Sequence, residues 1–207
     1  MDFEAFPKIG RLSRNCTITE KIDGTNAQIF ITPHDQVCPY TLDHHVIGVF
    51  DDNSLPRQRM LVFAGSRTRW ITPEDDNYGF ASWVKRNLEE LSKLGPGRHF
   101  GEWWGAGIQR KYGLVGSDKR FSLFNVHRWS GRWDNPRPRC CGVVPTLYEG
   151  IFTQNAVDTA LAELRGTGSC AALGFMQPEG VIIYHHGVKQ YFKKTLEKDD
   201  EPKGSQP

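Results

Sequence analysis

Along the chain, short apolar or alternating runs of strand type outnumber stretches with helical spacing. Strand-like runs at 16–22, 26–32, 46–50, 60–66, 98–104, 120–129, 143–148, 180–185 and 188–195 predict strands. Ala27-Gln-Ile-Phe-Ile31 is such a run, and the Asp23-Gly24 pair before it suits a tight turn. Two stretches break the pattern. In 77–94, Phe80, Trp83, Val84, Leu88 and Leu91 fall on one helix face. In 153–165, Ala156, Val157, Ala160, Leu161 and Leu164 do the same, with Thr153 placed as cap and Gly166 as stop. Many strands, few helices and no strict alternation between them predict an α+β fold of largely antiparallel sheets flanked by helices. The Gly/Pro/Arg segment 130–142 reads as a loop or edge hairpin, and 196–207 as a charged tail. No shift in composition marks a boundary, so one domain is expected over 1–195.

Composition changes this picture only in places. A chain of 207 residues buries a real core. No apolar run approaches the roughly 18 residues of a membrane span, and the acidic N-terminus lacks the order of a signal peptide. The cytoplasm is the expected compartment, with no membrane and no obligate protein partner. The five cysteines form no Cys-x-x-Cys pair, so neither zinc nor a disulfide framework is expected; His44 and His45 near Cys38 read as polar loop. The net charge of +2 is nearly neutral, yet basic residues gather at Arg57/Arg59, Arg67/Arg69, Lys119/Arg120, Arg137/Arg139 and Lys189/Lys193/Lys194. Aromatics stand among them, as in Arg69-Trp70 and Tyr191-Phe192-Lys193. Cations beside stacking rings suit a polyanion.

The candidate chemistry begins at Thr19-Glu-Lys-Ile-Asp-Gly-Thr-Asn26. A turn is satisfied by Asp23-Gly24 and needs neither Lys21 nor Glu20. Four further stretches follow: Gly65-Ser-Arg-Thr-Arg-Trp70, Phe100-Gly-Glu-Trp-Trp-Gly105, Phe121-Ser-Leu-Phe-Asn-Val126 and Pro178-Glu-Gly-Val-Ile-Ile183. A basic return strand, Val188-Lys-Gln-Tyr-Phe-Lys-Lys194, comes after the last. Singly, Glu102 and Glu179 are ordinary strand carboxylates. In order, the chain reads lysine, arginine, glutamate, aromatic, glutamate, lysine.

This order resembles the covalent nucleotidyltransferase superfamily of ATP-dependent ligases and capping enzymes, most of all the nick-sealing RNA ligases of phages and their bacterial relatives. The stretch 19–26 is similar to motif I, Ser66-Arg-Thr68 to motif Ia, 100–105 to motif III, 121–126 to motif IIIa, 178–183 to motif IV and 188–195 to motif V. The resemblance runs over about 16–195. It implies a single nucleotidyltransferase (ATP-grasp-like adenylation) domain that uses ATP and Mg²⁺ or Mn²⁺. Its partner would be nucleic acid with 5′-phosphate and 3′-hydroxyl ends, in a nicked, RNA-containing duplex.

By the same resemblance, Lys21 is the nucleophile that holds AMP, a covalent strategy that splits one hard step into easier ones. Lys193 offsets phosphate charge beside it. Glu20 and its backbone read the adenine amino edge, Phe124 stacks on adenine, and Glu102 holds the ribose hydroxyls. Glu179 ligates the ion, directly or through water. Arg67 meets ribose or the nick phosphate, and Asn26 a phosphate in later steps.

Two features depart from the family pattern. Motif V usually offers lysines at alternate positions, but Thr195 stands two after Lys193, and Lys194 falls on the other strand face. Lys189, Lys194 and Lys198 are the candidates for a second lysine. The sequence also ends soon after motif V, so no OB-fold or other appended domain is expected. An ATP-dependent DNA ligase, which usually carries arginine where Asn26 stands, is an alternative. So are a GTP-using capping enzyme and a nucleotide-binding module with little or no ligation.

Overall fold

A computed structural model of the chain describes residues 2–7, 9–36, 44–52, 58–131 and 137–197. In chain order these form β1 (Asn15–Lys21), β2 (Thr25–Pro33), β3 (Val46–Asp52), β4 (Gln58–Gly65), β5 (Trp70–Ile71), α1 (Phe80–Arg86), α2 (Leu88–Leu91) and β6 (Gly97–Gly105). There follow β7 (Lys119–Leu123), α3 (Val126–Trp129), β8 (Cys141–Val143), β9 (Thr146–Ile151), α4 (Gln154–Thr167), β10 (Gly180–His185) and β11 (Gln190–Thr195). The fold is α+β, as the alternation predicts. The chain makes two compact units, Met1–Ile22 with Pro145–Pro207, and Asp23–Val144.

The first unit is a four-stranded antiparallel sheet in the order β11-β10-β1-β9. Helix α4 covers one face, packing Ala156, Val157, Ala160, Leu161 and Leu164 against Cys16 and Ile18 of β1 and Val181 and Ile183 of β10. The Thr153 hydroxyl accepts from the Ala156 N–H at 3.1 Å and caps the helix. The helix runs past Gly166 to end at Gly168, whose φ of 81° favours glycine.

The second unit is a seven-stranded sheet in the order β3-β4-β2-β6-β7-β8, with β5 on β4. Its pairs are antiparallel except β7 with β8. One face buries Ile29, Ile31, Val62, Trp103 and Phe121 under Phe80, Val84 and Leu91 of the short helices.

Several predicted elements change shape. The helical stretch 77–94 breaks at Asn87, whose side-chain amide donates to the Trp83 carbonyl at 2.7 Å. The run 120–129 leaves the sheet after Leu123, where the Asn125 side chain accepts from the Arg128 N–H at 3.1 Å and starts α3. The run 143–148 is two strands in separate sheets, interrupted at Pro145, which lacks an N–H for the ladder. The last strand begins at Gln190, because Lys189 sits in the preceding turn at φ 54°. Cys38, Arg57, Lys198 and most of the expected tail lie outside the described residues. Among the described residues, no helix is long and apolar enough to cross a membrane.

Candidate active site

Lys21 is the last residue of β1, and its register neighbours are Gly180 and, beyond it, Thr195. Its ammonium pairs with the Glu179 carboxylate, both side chains being largely enclosed. Gly180, at φ 151°, is required at this point: a Cβ would stand 2.3 Å from the Lys194 carbonyl oxygen. Alternation places Thr17, Thr19 and Lys21 on the sheet face opposite α4. The register Thr19–Ile182–Lys193 sets Lys193 on that same face.

The other lysines lie elsewhere. Lys194 stands beside Val181 on the α4 face, its ammonium 3.3 Å from the Asp158 carboxylate. Hydrogen bonds from Gln154 and then Lys194 hold the Asp158 carboxyl below its usual range. Lys189 occupies the turn at the far end of the β10–β11 hairpin from the Lys21 end, roughly 20 Å along the strands at about 3.3 Å per residue. Neither Lys189 nor Lys194 therefore provides a second lysine beside Lys21.

Glu20 points the opposite way from its neighbour. It is buried on the α4 side, where one carboxylate oxygen accepts from the Ser169 hydroxyl at 2.6 Å and the other from the Ala171 N–H at 2.9 Å. Burial pushes its carboxyl up, while the hydrogen bonds from Ser169, Ala171 and Cys170 pull it down. The carboxylate is thus committed to the loop between α4 and β10. Its side chain braces that loop against β1, and its backbone N–H donates to the Pro145 carbonyl at 2.9 Å. Ser169 and Ala171 escape sequence reading, because nothing in Gly168-Ser-Cys-Ala171 signals a partner 149 residues away.

The second unit holds the rest of motif I. The Asp23 N–H donates to the Tyr112 hydroxyl at 2.8 Å, and the Asp23 carboxylate accepts from Arg110 Nε at 3.2 Å. The Gly24 N–H donates to Glu102 Oε1 at 3.1 Å. A Cβ on Gly24 would lie 2.5 Å from the Trp103 carbonyl oxygen and 2.7 Å from Trp104 Cβ. Gly24 thus allows a close approach of backbones, and is not a hairpin turn, since β1 and β2 belong to different sheets. Asn26 and Glu102 are cross-strand neighbours on the face away from the core, with Ser122 beyond Glu102. Phe124 follows β7, half-buried, its N–H donating to the Phe100 carbonyl at 3.0 Å. Arg67 is exposed in the turn after β4, which the Ser66 N–H closes by donating to the Arg69 carbonyl at 2.8 Å. Arg110 and Tyr112 are partners that the sequence leaves unmarked.

Among the described residues, no group of three or more His, Cys, Asp or Glu is arranged to hold a metal. Glu179 is the oxygen donor set against Lys21. A Mg²⁺ ion is typically held by one or two carboxylates with water and substrate phosphates, and a single carboxylate fits that pattern.

The family model described as RNA ligase matches residues 14–195. Among solved structures, the chain is similar to the RNA ligase of Naegleria gruberi. A variant with AMP and Mn gives a TM-score of 0.55 at 17% identity, over 88% of this chain and 49% of that one. An apo variant gives 0.53 at 18%, over 88% and 50%. The form with PPi gives 0.53 at 16%, over 88% and 50%. The chain thus spans about half the length of these solved relatives. No curated protein matches it.

Proposed function

The chain belongs to the RNA ligase family, and we propose that it is an ATP-dependent RNA ligase whose nucleotide is carried on Lys21. The single observation that carries this reading is Lys21 at the end of β1, paired with Glu179 and sharing its sheet face with Lys193. Residues 1–195 would act as the nucleotidyltransferase domain.

In the first step, Lys21 Nζ attacks the α-phosphorus of ATP. A P–N bond forms, the bond to the bridging oxygen breaks, and pyrophosphate leaves. An oxygen of the nucleic-acid 5′-phosphate then attacks the same phosphorus and releases Lys21. Finally the 3′-hydroxyl attacks the activated 5′-phosphorus, loses its proton and expels AMP. Lys21 must be neutral to attack; without nucleotide its Nζ pairs with the Glu179 carboxylate.

Lys193 offsets charge that gathers on the phosphate, which is most of what such transfers require. A divalent ion held by Glu179 would add to that offset when bound. The Naegleria ligase has been solved with AMP and Mn, which supports ATP with Mg²⁺ or Mn²⁺ for this chain. Glu102 would hold the ribose hydroxyls, Phe124 would stack on adenine, and Arg67 and Asn26 would meet phosphate or ribose. Glu20 would serve by fixing the 168–172 loop to β1.

The finer reading is a phage- or bacterial-type enzyme acting on nicked, RNA-containing duplex, supported by Asn26 where DNA ligases usually carry arginine. A nicked duplex with ribose on the 3′-hydroxyl side should be sealed faster than an all-DNA nick, since RNA is read through its A-form shape and 2′-hydroxyls. Initial rates on matched RNA, DNA and mixed nicks test this. Equal or faster sealing of DNA removes the RNA assignment. A second reading, a nucleotide-binding module with little or no ligation, draws support from Thr195, which stands two residues after Lys193. Nucleotide binding with no covalent adduct from any nucleotide would favour it.

A further inference from the structure

The outer face of the seven-stranded sheet continues beyond Asn26 and Glu102. Alternation along β2 brings Gln28 and Phe30 to the same face. Register sets Phe100 beside Gln28, Arg98 beside Phe30, and Phe63 on the other flank of Phe30. Trp70 of β5 completes the group. The Phe30 and Trp70 rings are stacked with centroids 6.0 Å apart, and Phe63 lies 5.8 Å from Phe30 and 5.5 Å from Trp70.

Arg98 lies over these rings, its guanidinium carbon 4.3 Å from the Phe30 centroid and 5.3 Å from that of Trp70. Its polar partner among the described residues is the neutral Gln28 amide, whose oxygen accepts at 3.0 Å. Arg69, in contrast, is tied to the Asp75 carboxylate at 2.5 Å. Phe63 is buried beneath, Phe30 and Trp70 are half-buried, and Arg98 and Phe100 are exposed, Phe100 at 46%.

A guanidinium facing solvent over stacked rings, with no carboxylate paired to it among the described residues, complements a ligand that has both flat bases and negative charge. Aromatic faces take bases of any sequence, and arginine adds cation–π and phosphate contacts. The patch is also continuous with Asn26 and Glu102. Phe30 is four residues along β2 from Asn26, about 13 Å at about 3.3 Å per residue, or roughly four steps of a stacked strand at about 3.4 Å each. We propose that Phe30, Trp70, Arg98 and Phe100 form a base-stacking platform for the RNA strand leading away from Asn26 and Glu102. This rests on the ligase reading for the identity of the strand, but not for the chemistry of the patch.

The test uses the full chain with a labelled single-stranded RNA and a matched nicked duplex, and the variants Arg98→Ala, Trp70→Ala and Trp70→Phe. Fluorescence anisotropy gives RNA affinity, sealing assays give KM and kcat, and labelling with ATP in the absence of RNA reports on Lys21. Arg98→Ala and Trp70→Ala should weaken RNA binding about 5- to 100-fold, the range seen when a stacking contact is removed. KM should rise with kcat little changed, and ATP labelling should be that of the parent chain. Trp70→Phe keeps a ring and should retain most of the affinity, yet lose the part of the RNA-induced tryptophan quenching that Trp70 contributes.

Thermal unfolding separates misfolding from loss of contact, and Arg98→Ala, being an exposed change, decides if Trp70→Ala does not fold. Unchanged RNA affinity in Arg98→Ala and Trp70→Ala, with labelling intact, overturns the platform and leaves the ligase reading standing. Concentration-dependent self-association that Arg98→Ala abolishes, with RNA affinity unaltered, also overturns it, by making the patch a contact between copies. RNA binding that depends on Arg98 in a chain that never takes up AMP keeps the platform and removes the ligase reading.

Discussion

Glu20 and Lys21 are adjacent in sequence and have partners on opposite faces of one sheet. Strand alternation turns Lys21 to one face of the sheet and buries Glu20 on the other, against Ser169 and Ala171. Motif spacing singled out Lys21 and Glu179, which the structure pairs, and Glu102, which accepts from the Gly24 N–H. It left the bonds of Glu20 to Ser169 and Ala171 invisible, because that loop is remote in sequence and carries no pattern of its own. A carboxyl pushed up by burial binds its proton more readily folded than unfolded, where its reference value is 4.5. Glu20 therefore favours the fold below that value, and the benefit is lost as pH rises through its higher folded-state value. Glu20→Gln is neutral at every pH and should remove that slope. The denaturant midpoint of the parent should gain on that of Glu20→Gln as pH falls from about 7 to about 4. A difference constant with pH would contradict this account of Glu20.

At the scale of elements, the β10–β11 hairpin sorts the lysines. Period-two alternation, visible in the sequence, already separates Lys193 from Lys194, and Asp158 on α4 explains what Lys194 does instead. Lys193→Ala should slow adenylylation by about 10²-fold or more, as expected when a charge-stabilising contact at the reacting phosphate is lost. Lys194→Ala should leave it near the parent rate and change stability little, since exposed ion pairs contribute little. Equal damage from the two would overturn the assignment of Lys193 and Lys194 to opposite faces. The Asp23-Gly24 pair was harder to read. Local turn chemistry suggests a hairpin, but β1 and β2 part into separate sheets, and tertiary proximity of Gly24 to Trp103 and Trp104 is what requires glycine. Gly24→Ala should destabilise the second unit by about 1–3 kcal/mol through overpacking, read as a lower denaturation midpoint. The long apolar stripe over 77–94 was legible as helix, whereas the break at Asn87 depends on one side-chain hydrogen bond.

At the scale of the whole molecule, fold class could be read from alternation, but the division into two units could not. Strand β1 pairs with β10, Lys21 opposite Gly180, so the N-terminal residues belong with the C-terminal part of the chain. No change of composition attends the crossings at Ile22–Asp23 and Val144–Pro145, so no boundary shows in the sequence. The same long-range pairing brings Lys21 against Glu179, 158 residues on, and gives the motif order its physical meaning. The proposed ligase chemistry begins with AMP on this lysine. The most direct measurement is to incubate the chain with ATP and Mg²⁺ or Mn²⁺, then locate any adduct by intact mass and peptide mapping. One AMP per chain is expected, acid-labile and attached at Lys21, and absent in Lys21→Ala. An AMP on another residue, or no adduct with ATP and either ion, would contradict it.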